Sequence, residues 1–418
     1  MRFRTPALFV ITTLLVAALG FGAAQDPIRV GVIGPFTGGF AAFGGYLEEG
    51  VRMALDELGG EIAGRPVELY IEDSRGDVEE FVTRVRALDE RDNVHVIVGP
   101  VLGSEGMAVV DWARDSGVPV IVAYSAPEDV TMRQRTHSVV RSSWTGAQPM
   151  FPFGEYVAEE LGFRNVVVVG QDYSFPHNQA GGFIRGFCAA GGDEVQRIWH
   201  PVGVDDFSSI LATLPRDVDA ALYVGGGADV ITFVRQWHDF GLDQLMPLLG
   251  GSNIPDTTVL PELGDDALGM LSAMQYAEGL ETERFVAWRE AYEERFGRIP
   301  AATAEHAYTG LMMAARAAEA VGGNVEDRDA FIEALRTLEV TDAPRGDFSL
   351  DEYGNPVQTI YIREVRPRED GQLVNVPIAA IENVSQFGPY VDDPEAYMAL
   401  PPDSSDYPPG VCADIELP

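Results

Sequence analysis

Apolar and polar positions along the chain follow two alternating periods. Continuous runs rich in β-branched residues at 28–33, 67–71, 94–98 and 118–122 are separated by stretches at about 46–58, 78–91 and 105–116 whose apolar positions recur at helical spacing. Unbroken runs of this kind predict strands buried on both faces, and the intervening period predicts crossover helices. The first third of the chain therefore reads as a parallel α/β unit. After Arg141 the same grammar restarts, with a helix at 151–161, a strand at 166–169, a helix at about 179–190, strands at 195–199 and 220–224, and a helix to Phe240. Runs at 247–250 and 269–276 read as the last strands of this second unit. Helical stretches follow at 282–296, 301–321 and 328–338, and their spacing places Tyr308, Met312 and Met313 in the core. A hairpin is predicted at 347–363, turning at Glu352-Tyr353-Gly354-Asn355. Residues 392–418 are rich in proline and acid and predict an extended tail over the surface.

Ligands of open α/β sheets sit outside the carboxyl ends of the strands. The third and fourth strands end at Leu102, Gly103 and Ser104 and at Ala123, Tyr124 and Ser125. Helix N-termini there point unpaired N–H groups and a partial positive charge at the turn, which suits a carboxylate. Serine hydroxyls add donors at little steric cost. The same serines also suit N-capping, worth about 1 kcal/mol each. The two turns lie close enough in the chain to converge on one small polar group.

Composition narrows the function classes. Arg2 and Arg4 precede an apolar run at 7–18, and Gly22-Ala23-Ala24 offers a cleavage site, so residues 1–24 read as a signal peptide and the mature protein as exported to the periplasm or another extracytoplasmic space. The chain of 418 residues carries a formal charge of −36, and all 29 basic residues are arginine. That acidity argues against nucleic acid and anionic membranes as partners. Without lysine there is no Schiff-base chemistry and no Walker-type phosphate loop. The six histidines, His95, His137, His177, His200, His238 and His306, are scattered with no zinc-binding spacing, and no G-x-S-x-G elbow occurs. These absences lead us to expect no catalysis, no metal and no cofactor. Cys188 and Cys412 form an even pair in an exported chain, which makes a disulfide to the tail one possibility and two thiols the other.

Several segments together resemble the periplasmic Leu/Ile/Val-binding proteins, the type I solute-binding proteins of ABC importers. They are Ile28-Arg29-Val30-Gly31-Val32-Ile33-Gly34-Pro35-Phe36-Thr37-Gly38, Phe43-Gly44, Gly99-Pro100-Val101 with Ser104, Ala123-Tyr124-Ser125-Ala126-Pro127-Glu128, Asp172-Tyr173-Ser174-Phe175, and Phe348, Asp351 and Gly354. The resemblance runs over 28–381 and implies two Rossmann-like α/β lobes with parallel central sheets, joined by a three-strand hinge and closing on a ligand. Lobe one would comprise 26–143 and 279–350, lobe two 144–278 and 354–383, with 384–418 as the tail. The implied partners are a small ligand bearing a carboxylate or amide and an ABC permease and ATPase, with the binding protein itself a monomer. A ligand-sensing protein feeding a membrane receptor would share these lobes; an exported α/β enzyme is the more distant alternative.

Carried onto this chain, the resemblance places the ligand carboxylate at Gly103, Ser104, Ala123 and Ser125, with Leu102 and Tyr124 beside them. Aromatic walls would come from Phe43, Phe175 and Tyr173. A further aromatic position falls in Gly225-Gly226-Gly227, where Gly226 has no side chain, and the acid that grips an amino-acid ammonium is replaced by Ser252. A neutral hydroxyl repays ammonium desolvation poorly. Either Asp172 or Asp229 takes the ammonium, or the ligand has none. The second reading is preferred, and it implies an aromatic or aliphatic carboxylate, or an amide.

Overall fold

The computed structural model describes residues 26–418, so the expected signal peptide lies outside the described residues. The first sheet runs in the order Glu61–Ile62, Arg65–Asp73, Ile28–Gly34, Val96–Val98, Val120–Val122, Val139–Arg141. Its strands are parallel except for the edge hairpin of the first two. Val30 pairs with both Leu69 and Val96, and Ile97 with Val120, so the β-branched runs stack flank to flank. The second sheet is wholly parallel, in the order Leu248–Gly250, Ala220–Val224, Asn165–Gln171, Glu194–His200. A third, antiparallel sheet joins Leu271–Met274, Pro356–Pro367, Phe348–Leu350 and Glu339–Val340, with Leu373–Val384 also paired to Pro356–Pro367.

The chain returns to the first lobe after building most of the second. Helices Glu283–Phe296, Ala302–Ala320 and Arg328–Arg336 share one core with the first sheet, where Trp288, Leu311 and Phe331 meet Val30, Val96 and Val98. Each such side chain buried is worth about 2–3 kcal/mol. Helix Ala302–Ala320 crosses helix Ala41–Glu57 so closely that a side chain on Gly50 would sit 2.1 Å from the Ala304 carbonyl, which is why glycine stands there. Ile360, Ile362 and Val384 of the long hairpin instead share the second lobe's core with Val166, Val168 and Phe183. Connections near Arg141, Met274 and Leu350 thus link two α/β lobes through a hinge.

Three sequence expectations change. The run at 269–276 shortens to Leu271–Met274 and joins the third sheet rather than the second unit, because an apolar run reports burial and not its pairing partner. The helices expected from about 46 and 179 begin earlier, as Ala41–Glu57 and Ser174–Ala189, since glycine- and proline-bearing first turns hide the helical period. The tail is not merely extended. It contains helix Pro394–Ala399, started by Pro394 at its first position and by the Asp393 carboxylate accepting from the Ala396 N–H at 3.0 Å.

Candidate ligand-binding cleft

Two turns at the carboxyl edge of the first sheet meet. Strand Val96–Val98 leads through Gly99 into helix Gly103–Ser116; Gly99 has φ +126°, and a side chain there would fall 2.3 Å from the Ile33 carbonyl. The Glu105 carboxylate accepts from the Leu102 N–H at 3.2 Å, while Gly103 and Ser104 occupy the first two helical positions, where N–H groups have no carbonyl of their own helix to bond. Ser104 is exposed and lies inside the helix, so it is not the N-cap; Leu102 is. The second turn packs on this helix end. A side chain on Gly106 would overlap the Ser125 hydroxyl, and the Tyr124 and Ser125 N–H groups both reach the Pro100 carbonyl at 3.3 Å. Ser125 Oγ is buried with no hydrogen-bond partner and caps no helix, because only the short 3-10 turn Glu128–Val130 follows, entered through Pro127. Ala123 is fully buried at the strand end.

Arg141 holds the second turn from behind. Its guanidinium donates to the Ser125 and Pro127 carbonyls, and its Nε donates to Thr131 Oγ1 at 3.2 Å. The residue is fully buried, and burial lowers its pKa to about 9. No carboxylate lies within ion-pair distance of it among the described residues.

An aromatic chain crosses from one lobe to the other. Phe43, in the first turn of helix Ala41–Glu57, lies 5.8 Å from the Tyr124 ring; Tyr124 lies 6.1 Å from Trp144 and 5.8 Å from His306. Trp144 meets Phe175 edge-on at 5.8 Å, and Phe175 lies 6.4 Å from Tyr173. Phe175 sits in the first turn of helix Ser174–Ala189, and Tyr173, its N-cap, is 40% exposed. The Tyr124 hydroxyl donates to Asn253 Oδ1 at 3.3 Å, a bond between the lobes, and burial pushes this hydroxyl's pKa well up. Trp144, His306 and Asn253 were not singled out from the sequence. Trp144 and His306 carry ordinary core character, and both are fully buried.

The opposite side holds little free negative charge. Ser252 does not turn its hydroxyl into open space: it is fully buried, the nearest polar partner of its Oγ is Met150 Sδ at 3.7 Å, and its carbonyl accepts from Arg363 Nη2 at 2.7 Å. Asp229 accepts from Gln171 Nε2 and from the Gly203 N–H, each at 2.9 Å. Asp172 pairs with His177 at 3.0 Å on the surface. Asp256 is buried, and desolvation followed by the neighbouring Glu278 raises its pKa. Glu278 is itself occupied by Thr257 Oγ1 at 2.6 Å and Asn375 Nδ2 at 2.9 Å. Gly226 exchanges two 3.0 Å hydrogen bonds with the Gln171 amide, and open space lies where its side chain would be. Cys188 and Cys412 are joined, with Cα atoms 5.1 Å apart.

Among the described residues no group of His, Cys, Asp and Glu is arranged to hold a metal, and no helix is long and apolar enough to cross a membrane. The family model described as periplasmic binding protein matches residues 27–372. A Leu/Ile/Val-binding protein homolog from Brucella melitensis is 30% identical over 391 residues, covering 90% of this chain and 98% of the relative. The solved ABC transporter substrate-binding protein from Sphaerobacter thermophilus is 34% identical with a TM-score of 0.83, over 86% of this chain and 99% of that one. A solute binding protein of an ABC transporter from Rhodopseudomonas palustris, solved in complex with 3,4-dihydroxybenzoic acid, is 28% identical with a TM-score of 0.80, over 87% and 99%. The chain belongs to the type I periplasmic binding proteins, as a solute-binding protein of the ABC transporter family.

Proposed function

We propose that this protein captures a small aromatic carboxylate outside the cytoplasm and presents it to an ABC permease and its ATPase. Residues 26–143 with 279–350 would move as one lobe, and 144–278 with 354–383 as the other, after removal of residues 1–24. Gly103, Ser104 and Ser125 would hold the carboxylate, backed by Leu102 and Ala123. Phe43, Tyr124, Trp144, Phe175 and Tyr173 would enclose the ring, with space beside Gly226.

The observation that carries this reading is the pairing of an aromatic chain with the absence of a free carboxylate to meet an ammonium. Asp229, Asp256 and Glu278 accept from internal donors, Asp256 from the Thr258 N–H at 2.9 Å, and Asp172 pairs with His177. An ammonium brought here would lose its hydration without a charged partner, a cost of several kcal/mol. A benzoate ring has no such cost and gains offset or edge-on contacts worth about 0.5–1.5 kcal/mol each. The Rhodopseudomonas relative's dihydroxybenzoate supports the same class. The relatives named for leucine, isoleucine and valine favour a branched-chain amino acid as the second reading.

Calorimetric titration of protein freed of ligand separates the two. Benzoate or 4-hydroxybenzoate is expected to bind at least about tenfold more tightly than leucine, a gap of about 1.4 kcal/mol. Tight leucine binding with no response to benzoates would sink the aromatic reading.

A further inference from the structure

The C-terminal segment does more than cover surface. Its first part is hydrogen-bonded to the first lobe, while Phe387, Tyr390 and Tyr397 also pack with Phe151 of the second. Gln386 accepts from Thr131 Oγ1 and donates to Asp351 Oδ2, each at 2.8 Å. The Arg133 guanidinium then grips three carbonyls at the end of helix Pro394–Ala399, donating to Met398 at 3.0 Å, Leu400 at 3.1 Å and Tyr397 at 3.4 Å. The Tyr397 hydroxyl donates to Glu128 Oε1 at 2.7 Å.

Only a few residues later the tail is fixed to the second lobe. Asp403 forms an ion pair with Arg185 at 2.7 Å, both side chains almost wholly buried. A side chain on Gly181 would overlap the Asp403 carboxylate, so the tail lies directly on that helix. Beyond it, Ser405 accepts from Trp199 Nε1 at 2.9 Å, Gly410 from the Val195 N–H at 2.8 Å, and Cys412 is bonded to Cys188. Gly181, Arg185 and Cys188 follow one face of helix Ser174–Ala189 at successive helical turns. The first turn of that helix carries Phe175, and Asn178 in its second reaches across the lobes to Glu128 Oε2 at 3.3 Å.

We propose that residues 385–418 are a strap between the lobes that restrains their opening and thereby sets ligand affinity. The helix bearing the second lobe's aromatic wall cannot swing away from the first lobe unless the tail releases either Thr131, Arg133 and Glu128 on one side or Arg185 and Cys188 on the other. Buried ion pairs and charge-assisted bonds are costly to break singly, because each leaves a partner desolvated. The hinge therefore has a short range, and the state competent to hold ligand is more populated than in an unstrapped protein. Apparent affinity rises with that population. The proposal rests on the two-lobe closure assigned above but not on the ligand's class.

The test uses full-length mature protein carrying Arg133→Ala, Tyr397→Phe and Gln386→Ala, which removes the side-chain hydrogen bonds named above between the tail and the first lobe while keeping the disulfide and the Arg185–Asp403 pair. Arg133→Lys with Gln386→Ala, which keeps the charge but loses the planar fork, serves as a milder variant should the triple variant fail to fold. Small-angle X-ray scattering after exhaustive dialysis reads the lobe separation without any ligand. The variants are expected to have a larger radius of gyration than the parent, and benzoate, used as probe, is expected to bind them roughly tenfold more weakly. Scattering identical in parent and folded variants would overturn the strap. If benzoate binds neither protein, the ligand reading fails while the scattering comparison still decides the strap.

Discussion

Glu128 is 4% exposed and sits where both lobes and the tail meet, so its ionisation is coupled to all three. Burial first, and then the Asp403 carboxylate, push it up to about 8, against the opposing pull of Arg185, the Tyr397 hydroxyl and Arg133. Because its folded pKa lies above the unfolded value of 4.5, the unfolded chain ionises first as pH rises. The stability linked to this group is complete below that value and is lost progressively until pH passes about 8. We predict a slope approaching about 1.4 kcal/mol per pH unit across this window from Glu128 alone. Glu128→Gln should flatten it and raise stability at pH 8, measured by urea denaturation at pH 5 and pH 8. An unchanged slope would place the proton elsewhere. Single residues were unevenly legible. That Gly103, Ser104 and Ser125 stand at the carboxyl ends of parallel strands was readable because the apolar runs before them are unbroken. Trp144 could not, since a buried tryptophan after a strand has the signature of core whether or not it lines a cleft. Ser252 was legible as a missing acid but not as a side chain turned toward Met150.

At the scale of elements, the parallel strands were readable because their apolar runs are unbroken. What those runs could not carry was partnership. Leu271–Met274 pairs with Pro356–Pro367, a contact across most of a hundred residues that no local pattern encodes. Helix Ser174–Ala189 is the element on which most depends, since it carries Phe175 at one end and Cys188 at the other. The Cys188–Cys412 bond closes a span of 224 residues. Replacing both with alanine is expected to lower unfolding free energy by about 2–5 kcal/mol. Urea unfolding followed by circular dichroism would check this, and a midpoint equal to the parent's would show that the tail's other contacts hold it without the bond.

At the scale of the molecule, the proposed function divides recognition between the two lobes. On the proposed reading the first would supply the unbonded N–H groups at the start of helix Gly103–Ser116, beside a turn that Arg141 holds in place. The second supplies an aromatic face and a glycine run, with its carboxylates already bonded within the protein. The net charge of −36 is spread over a surface and says little about that seat, because a buried site makes its own local field. On the proposed function a carboxylate docks on the first lobe while an uncharged ring fills the rest of the cleft. A crystal structure of the protein equilibrated with 4-hydroxybenzoate tests it most directly. Carboxylate oxygens are expected within hydrogen-bond distance of the Gly103–Ser104 and Ser125 turns, with the ring between Phe43 and Phe175. A ligand bound with its carboxylate on the second lobe, or a cleft that instead retains an amino acid with its ammonium on Asp256 or Glu278, would contradict it.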